Sequence, residues 1–319
     1  MLPFVLRRLV QAVPLLLLIS LLVFALIHAA PGGPLSLYLS NPNVRPEDIE
    51  RLRRALGLDR PLPEQYLTWL RGFVVGDWGY SYADGRPVAA RIAERVPATL
   101  ELIATSVALA LVAAVPLGVT AAVRRGGWFD RLTTVVSFAG ISLPVFWLGL
   151  LLQLLFAVSL GWLPSSGRSS LDIPGMDVGL GDRVRHLVLP AVVLASVHAA
   201  GWSRYVRSSM AGALRQRYIT AARGRGVPAR TLVFHHALRN ALLPFVTVTM
   251  LDAAIMVSGA VVTESVFAWP GIGSLFTEAL ARRDYTVLMA FLMLSSFAVV
   301  LLNLLADVAY RALDPRVAE

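Results

Sequence analysis

The 319-residue chain is 56% hydrophobic and 15% charged, carries a formal net charge of +9 and has no cysteine, which excludes disulfide frameworks and cysteine-based metal sites. All 29 basic residues are arginine, so a phosphate-binding loop of the G-x-x-x-x-G-K-[ST] type, which needs its lysine, cannot be built from this chain. The positive charge comes without an aromatic-interleaved basic module or zinc-finger spacing, which argues against nucleic-acid binding; arginines flanking apolar spans are what the positive-inside tendency produces.

Several apolar runs approach the ~20 residues that a helix needs to cross a bilayer while satisfying its own backbone polar groups. The first spans about Val10 to Ala30 and follows Arg7 and Arg8. That start also fits a signal peptide, but the multispanning remainder favours a retained span. A polar region, 31–99, follows, in which nine arginines face eight acids, a near balance expected of an external segment. Within it, Asp48 to Leu56 and Leu62 to Phe73 have helical spacing, Pro61 and Pro63 interrupt, and Gly76 to Gly85 reads as a turn or short hairpin.

The second span is expected at about Leu102 to Val123, with Pro116 and Gly118 inside it, and the third at about Val135 to Leu160, with Ser142 and Pro144 as candidates for a kink. The stretch from Gly161 to Arg185, rich in glycine and proline, reads as a second external loop. The fourth span begins near Leu187 and must take in part of "SRYVRSSM", with Arg204 and Arg207 reaching the interface by their flexible stems. The fifth covers about Ala241 to Val262 and the sixth about Thr286 to Leu304. Between these two, Pro270, Gly271, Gly273 and Ser274 point to a turn or re-entrant element. Six spans put both termini on one side, together with Arg124, Arg125, Arg131 and the basic strip of the fourth loop; by charge bias that side is cytoplasmic.

That strip carries eight arginines and no acid between Arg204 and Pro244, more than charge bias alone requires. Its spacing predicts a helix from Ala211 to Arg223, a close turn or cap at Gly224 and Gly226, and a second helix from Val227 to Asn240 started by Pro228. Small Ala221 and Ala222 permit close backbone approach by a partner, and Arg215, Arg217, Arg223, Arg225 and Arg230 offer directional contacts to its carboxylates.

At these residues the sequence closely resembles the permease subunits of ATP-binding-cassette importers, in the branch that imports dipeptides and oligopeptides. The family's cytoplasmic motif, Glu-Ala-Ala, three residues, then Gly, is matched by "TAARGRG", with Thr220 in place of the Glu followed by Ala221, Ala222 and Gly226. Further matches run in the family's order: "RRLVQAVPLLLLISLLVFALIHAAPGGP" (Gly33 where Asp is more usual), "LGLDRPLPEQYLTWLRGFVVGDWGYS", "RVPATLEL", "ISLPVFWLG", "RYVRSSM", "HALRNALLP", "VFAWPGIG" and "RRDY".

The resemblance implies an all-α polytopic fold of six transmembrane helices of the type I importer class. Its parts would be a first helix (1–30), an external region (31–99) and a five-helix core (100–319) bearing the coupling loop at about 205–240. It implies a cell or inner membrane location in a bacterium or archaeon. The implied partners are a related permease subunit as heterodimer mate, two cytoplasmic ATPase subunits that bind ATP and Mg2+, and an extracytoplasmic binding protein. This chain itself would hold no cofactor and catalyse no reaction. Thr220, Ala221, Ala222, Gly226, Arg217, Arg223 and Arg225 would couple to the ATPase, and alternating access would follow. Peptides lead as substrate; related systems carry nickel chelates, glutathione, antibiotics or sugar oligomers.

Other residues carry competing readings. Asp252, a carboxylate within a span, is costly there unless it faces water, pairs or takes a proton; it either contacts a substrate amino group or bonds a neighbouring helix. Glu264 lies just beyond the fifth span, lining the outer mouth or simply solvated. Asp77, Trp78 and Tyr80 in "GDWGYS", with Trp269 in "AWPG", are candidates for binding-protein contact, with anchoring near the headgroups as the other reading of the aromatic rings. His235 and His236 are adjacent and point about 100° apart on a helix, unlike the i,i+4 pair of zinc proteases. An ion-coupled secondary transporter is the alternative class, although its expected internal repeat is not visible. A membrane protease lacks a paired nucleophile and base.

Overall fold

The computed structural model describes residues 2–29, 35, 45–55, 57–170 and 179–313. Gly33 and parts of both expected external loops lie outside them. The chain divides into two compact units, Met1–Thr99 with Pro270–Val300, and Leu100–Trp269 with Leu301–Glu319.

In the first unit, α1 (Leu2–Ala29) is an apolar helix followed by amphipathic α2 (Pro46–Ala55) and by α3 (Leu62–Val75). Pro61 sits before α3, where its missing N–H costs nothing, and Gly76 closes it in a left-handed conformation at φ 89°. The Gly-rich stretch forms the expected short hairpin. Tyr80 bridges Pro87, with Ser81 N–H to Arg86 O at 2.9 Å.

The helix expected from Leu102 begins at Val88, as α4 (Val88–Val123). Val88 and Ile92 explain the longer reach, because they repeat at helical spacing and are buried with Leu275, Val287 and Leu288. The remaining first-unit elements are α11 (Ile272–Ala281), a short apolar helix that takes in Gly273 and Ser274 of the expected turn or re-entrant element, and the start of α12 (Tyr285–Leu313).

In the second unit, the expected third span is two helices. α5 (Trp128–Ser142) and α6 (Val145–Leu152, continued by a π-helical Gln153–Ser159) meet at a 102° bend. Leu143 and Pro144 are both extended there, at ψ 127° and 134°; for Leu143 the cause is the proline after it, which drives the preceding residue out of the helical region. α7 (Leu180–Ala213) packs against both, and against α10 (Leu238–Val266). Between α7 and α10 lie α8 (Arg217–Gly224), α9 (Ala229–Thr231) and a π-helical Leu232–Ala237. Five helices are long and apolar enough to cross a membrane, and the bent pair makes a sixth if counted as one span. The chain is thus an all-α, multi-pass membrane protein.

Candidate functional site

The predicted single helix from Ala211 to Arg223 is broken. α7 stops at Ala213, and Gln216 turns extended (φ −68°, ψ 148°) to start α8. α8 has two faces. Ile219 and Ala222 are buried, Ile219 in a cluster with Val206, Met210, Ala213, Ala237 and Ala241. Arg217, Tyr218, Thr220, Ala221, Arg223 and Arg225 are exposed, and Asn240 Nδ2 of α10 donates to the Tyr218 hydroxyl at 2.9 Å. The two alanines therefore differ in role: Ala222 anchors α8 to its own chain, and only Ala221 is offered outward.

Gly226 ends the helix. Its N–H donates to Arg223 O at 3.0 Å and the Val227 N–H to Ala222 O at 3.2 Å, with Gly226 at φ 80°, the bond pattern of a Schellman cap that favours glycine. A Cβ at Gly226 would meet nothing within 4 Å, so backbone conformation, not crowding by this chain, requires the glycine. Among the described residues, Arg215, Arg217, Arg223, Arg225 and Arg230 pair with no carboxylate of this chain. All five are exposed, Arg217 and Arg223 on the short, anchored α8 and the others just before or after it.

Beside this element lies a pair that sequence reasoning missed. Asp130, in the first turn of α5, is 4% exposed and receives both Nε and Nη2 of Arg207 on α7, the latter at 2.8 Å, and the Gly126 N–H at 2.9 Å. Arg207 thus ends in a bidentate ion pair instead of simply reaching for the interface, while Arg204 lies 4.4 Å from the Phe138 ring centroid. Gly118 of α4 passes so close to α7 that a Cβ would sit 2.6 Å from Ser203 O. The acid opening α5 and the arginines near the end of α7 are visible in the sequence, but nothing there pairs residues 77 positions apart.

Asp252 accepts a 2.6 Å hydrogen bond from the Trp202 indole N–H. Trp202 is buried between His198 and Phe245, at ring separations of 5.7 and 5.9 Å. Asp252 is half-buried, and the bond to a neighbouring helix is the one of its expected roles that the geometry shows. Glu264 corrects its expectation: α10 runs on to Val266, and Glu264 is fully buried inside it instead of solvated beyond it. Trp269 is also fully buried, its backbone N–H donating to the Glu264 backbone carbonyl at 2.8 Å; its ring is therefore a packing element and not a contact surface.

In the first unit, Asp77 and Tyr80 are exposed. Asp77 Oδ1 accepts the Gly79 N–H at 3.2 Å, whereas Trp78 is half-buried, stacked on Phe73 at 5.5 Å and donating to its carbonyl at 3.1 Å. Sequence reasoning gave no role to Asp284, which is fully buried. It accepts Ser81 Oγ at 2.5 Å and Tyr82 N–H at 3.2 Å, with Arg91 Nη1 at 3.5 Å. The turn, α4 and the start of α12 are thereby tied together.

The family model described as "Binding-protein-dependent transport system inner membrane component" matches residues 114–319, and its N-terminal companion, "Binding-prot-dependent transport system membrane comp, N-term", matches 1–103. The chain belongs to this family. As a binding-protein-dependent permease subunit it is non-catalytic, its family being paired with separate ATPase subunits. The permease is 41% identical to the "Oligopeptide transport system permease protein AppB" of Bacillus subtilis (strain 168), over 98% of each chain. It is 42% identical to a "Putative peptide permease protein" of Brucella suis biovar 1 (strain 1330), over 99% of each. It is 38% identical to the "Glutathione transport system permease protein GsiC" of Escherichia coli (strain K12), over 99% of each. In fold it is similar to a chain from a structure titled "Inward facing conformations of the MetNI methionine ABC transporter: CY5 native crystal form". The TM-score is 0.58 at 20% identity, covering 70% of the permease and 96% of that chain.

Proposed function

We propose that this permease is one transmembrane half of an ATP-driven importer of dipeptides or oligopeptides, with six spans and the type I importer arrangement. Both termini and the 205–240 loop face the cytoplasm. A related permease supplies the other half, two ATPase subunits engage the loops, and an extracytoplasmic binding protein delivers substrate. The observation that supports this reading best is α8: a two-turn helix anchored by Ile219 and Ala222, ended by the Gly226 cap, and presenting Arg217, Thr220, Ala221, Arg223 and Arg225 to an acidic partner. A push on such an element reaches α7 and α10 through the Ile219 cluster and the Tyr218–Asn240 bond. Coupling requires that ATP-bound and ATP-free partners bind it differently.

Asp252 is the substrate-facing candidate, its carboxylate held by Trp202 with charge left to meet a peptide amino group. Asp77 and Tyr80 are the binding-protein contacts. The likeness to GsiC supports glutathione, itself a small peptide, as the second substrate reading. Purification of the complete complex with its binding protein, followed by identification of the retained ligand, tests the proposal; recovery of a metal chelate or an oligosaccharide with no peptide overturns it. Uptake that persists without the ATPase subunits returns the secondary-transporter alternative.

A further inference from the structure

α3 belongs to the stretch whose charge balance reads as an aqueous external segment, yet its side chains sort into three sectors that water alone does not explain. At 100° per residue, Tyr66, Trp69 and Phe73 fall within about 60° of one another and face the protein; Leu62, in the first turn, shares that sector but is exposed. Tyr66 and Trp69 pack with Val23, Phe24 and Ile27 of α1, and Phe73 packs with Val88 and Ile92. The adjoining sector of about 60° holds Pro63, Leu67, Leu70 and Val74, all apolar, with Leu67 49% and Val74 76% exposed. The sector beyond it holds Glu64, Thr68 and Arg71, all exposed, with Val75 as its one apolar member. A protein-facing sector, an apolar exposed sector and a polar sector, in that order around one helix, make the pattern of a helix lying in a lipid–water interface.

The depth of α3 supports the same occupant. Its Tyr66 hydroxyl is 2.7 Å from Ser20 Oγ, and its Trp69 ring is 6.0 Å from that of Phe24. Ser20 lies nine residues before the end of α1 at Ala29, about 13 Å along the helix at 1.5 Å per residue. α1 is a membrane-crossing candidate, and a bilayer's hydrocarbon is ~30 Å thick. A helix that reaches Ser20 therefore runs beside the hydrocarbon portion of α1, where Leu21, Leu22 and Leu26 of the span are likewise exposed in the isolated chain. We propose that α3 is an interfacial helix, its Pro63–Leu67–Leu70–Val74 sector immersed in lipid and its Arg71 reaching the headgroup phosphates. This rests on α1 crossing the membrane and on no assumption about substrate or ATPase.

The absence of cysteine allows single-site labelling of the full chain in its complex. Spin labels are placed at Leu67→Cys and Val74→Cys in the apolar sector and at Glu64→Cys and Thr68→Cys in the polar sector, with the complex reconstituted in phosphatidylglycerol–phosphatidylethanolamine vesicles. Collision with oxygen, which partitions into lipid, is compared with collision with an aqueous nickel chelate. The labels at 67 and 74 are expected to favour oxygen several-fold over those at 64 and 68. Equal access of the nickel chelate to all four sites overturns the proposal. Shielding at 67 and 74 that develops only when purified binding protein is added also overturns it and assigns the face to that protein. All four sites are exposed, so the labels displace no packed side chain. The rate of modification by a membrane-impermeant maleimide, slow at 67 and 74 and fast at 64 and 68, provides a second reading on the unlabelled variants.

Discussion

The indole N–H of Trp202 on α7 donates to Asp252 Oδ2 on α10 at 2.6 Å, and the same indole meets Phe245 edge to face. A carboxylate inside a membrane helix is thus given a donor by a neighbouring helix. Asp252→Asn keeps an acceptor for Trp202 and removes only the charge. It is expected to leave thermal stability unchanged while lowering uptake, measured in reconstituted vesicles. Unaltered substrate affinity and uptake would remove Asp252 from the pathway. Trp202→Phe strands a partly buried acceptor and should destabilise by about 1–3 kcal/mol, read as a lower melting temperature.

Gly226 offers a separate test of coupling. Its φ of 80° costs an L residue about 1–2 kcal/mol, and nothing in this chain crowds its missing side chain. Gly226→Val is expected to insert normally but to uncouple ATP turnover from import. Gly226→Asn, which tolerates the left-handed region, should retain more transport than Val. Equal transport by wild type and the Val variant would count against any role for this cap in coupling.

Asp130 and Arg207 form a pair in which Asp130 is almost wholly buried and Arg207 about one-third exposed. Removing one partner of a buried pair costs about 3–5 kcal/mol, and the exposure of Arg207 puts Asp130→Asn at the lower end. The Asp130→Asn, Arg207→Gln double variant should be less destabilised than the sum of the single changes. Strict additivity in that cycle would show that the contact contributes no coupling energy.

The Asp84 carboxyl, in the turn before α4, experiences opposing influences. Burial pushes its pKa up, but the Arg86 backbone N–H, the Ser81 hydroxyl and the charges of Arg91 and Arg86 outweigh this and hold it below the usual aspartate value. A carboxyl depressed in the folded state stabilises above its unfolded pKa and loses that contribution as pH falls through the folded one. Amide exchange at Ser81 and Gly85, corrected for intrinsic rate, should therefore quicken below about pH 4 in the wild type. In Asp84→Asn the acid-dependent component should vanish; its persistence would assign the effect to another group.

How much was legible varied with the physics of each feature. Helix ends marked by proline and glycine were close: α3 starts after Pro61 and stops at Gly76, because these residues restrict or free the backbone locally. The helix after Pro228 was also legible. The break at Gln216 was not, since Leu214, Arg215 and Gln216 all tolerate helix, and burial of Ile219 and Ala222 decides where the chain turns. Pro144 announced a kink but not its 102°. Glu264 and Trp269 looked like surface residues because polarity and turn chemistry were read without their packing.

The amino-acid sequence by itself determined that this chain crosses a membrane several times, that it cannot bind ATP through a lysine-bearing phosphate loop, and that its arginines concentrate on one loop. These follow from run length, residue chemistry and local backbone preference. Tertiary structure alone decided that Asp252 meets Trp202, that Asp130 meets Arg207, that Asp284 closes the 80–87 turn, and that Ala222 is buried while Ala221 is exposed. In helices apolar on every side, residue periodicity does not distinguish a lipid-facing side from a protein-facing one. Only the packing of segments distant in the chain assigns each polar group its partner.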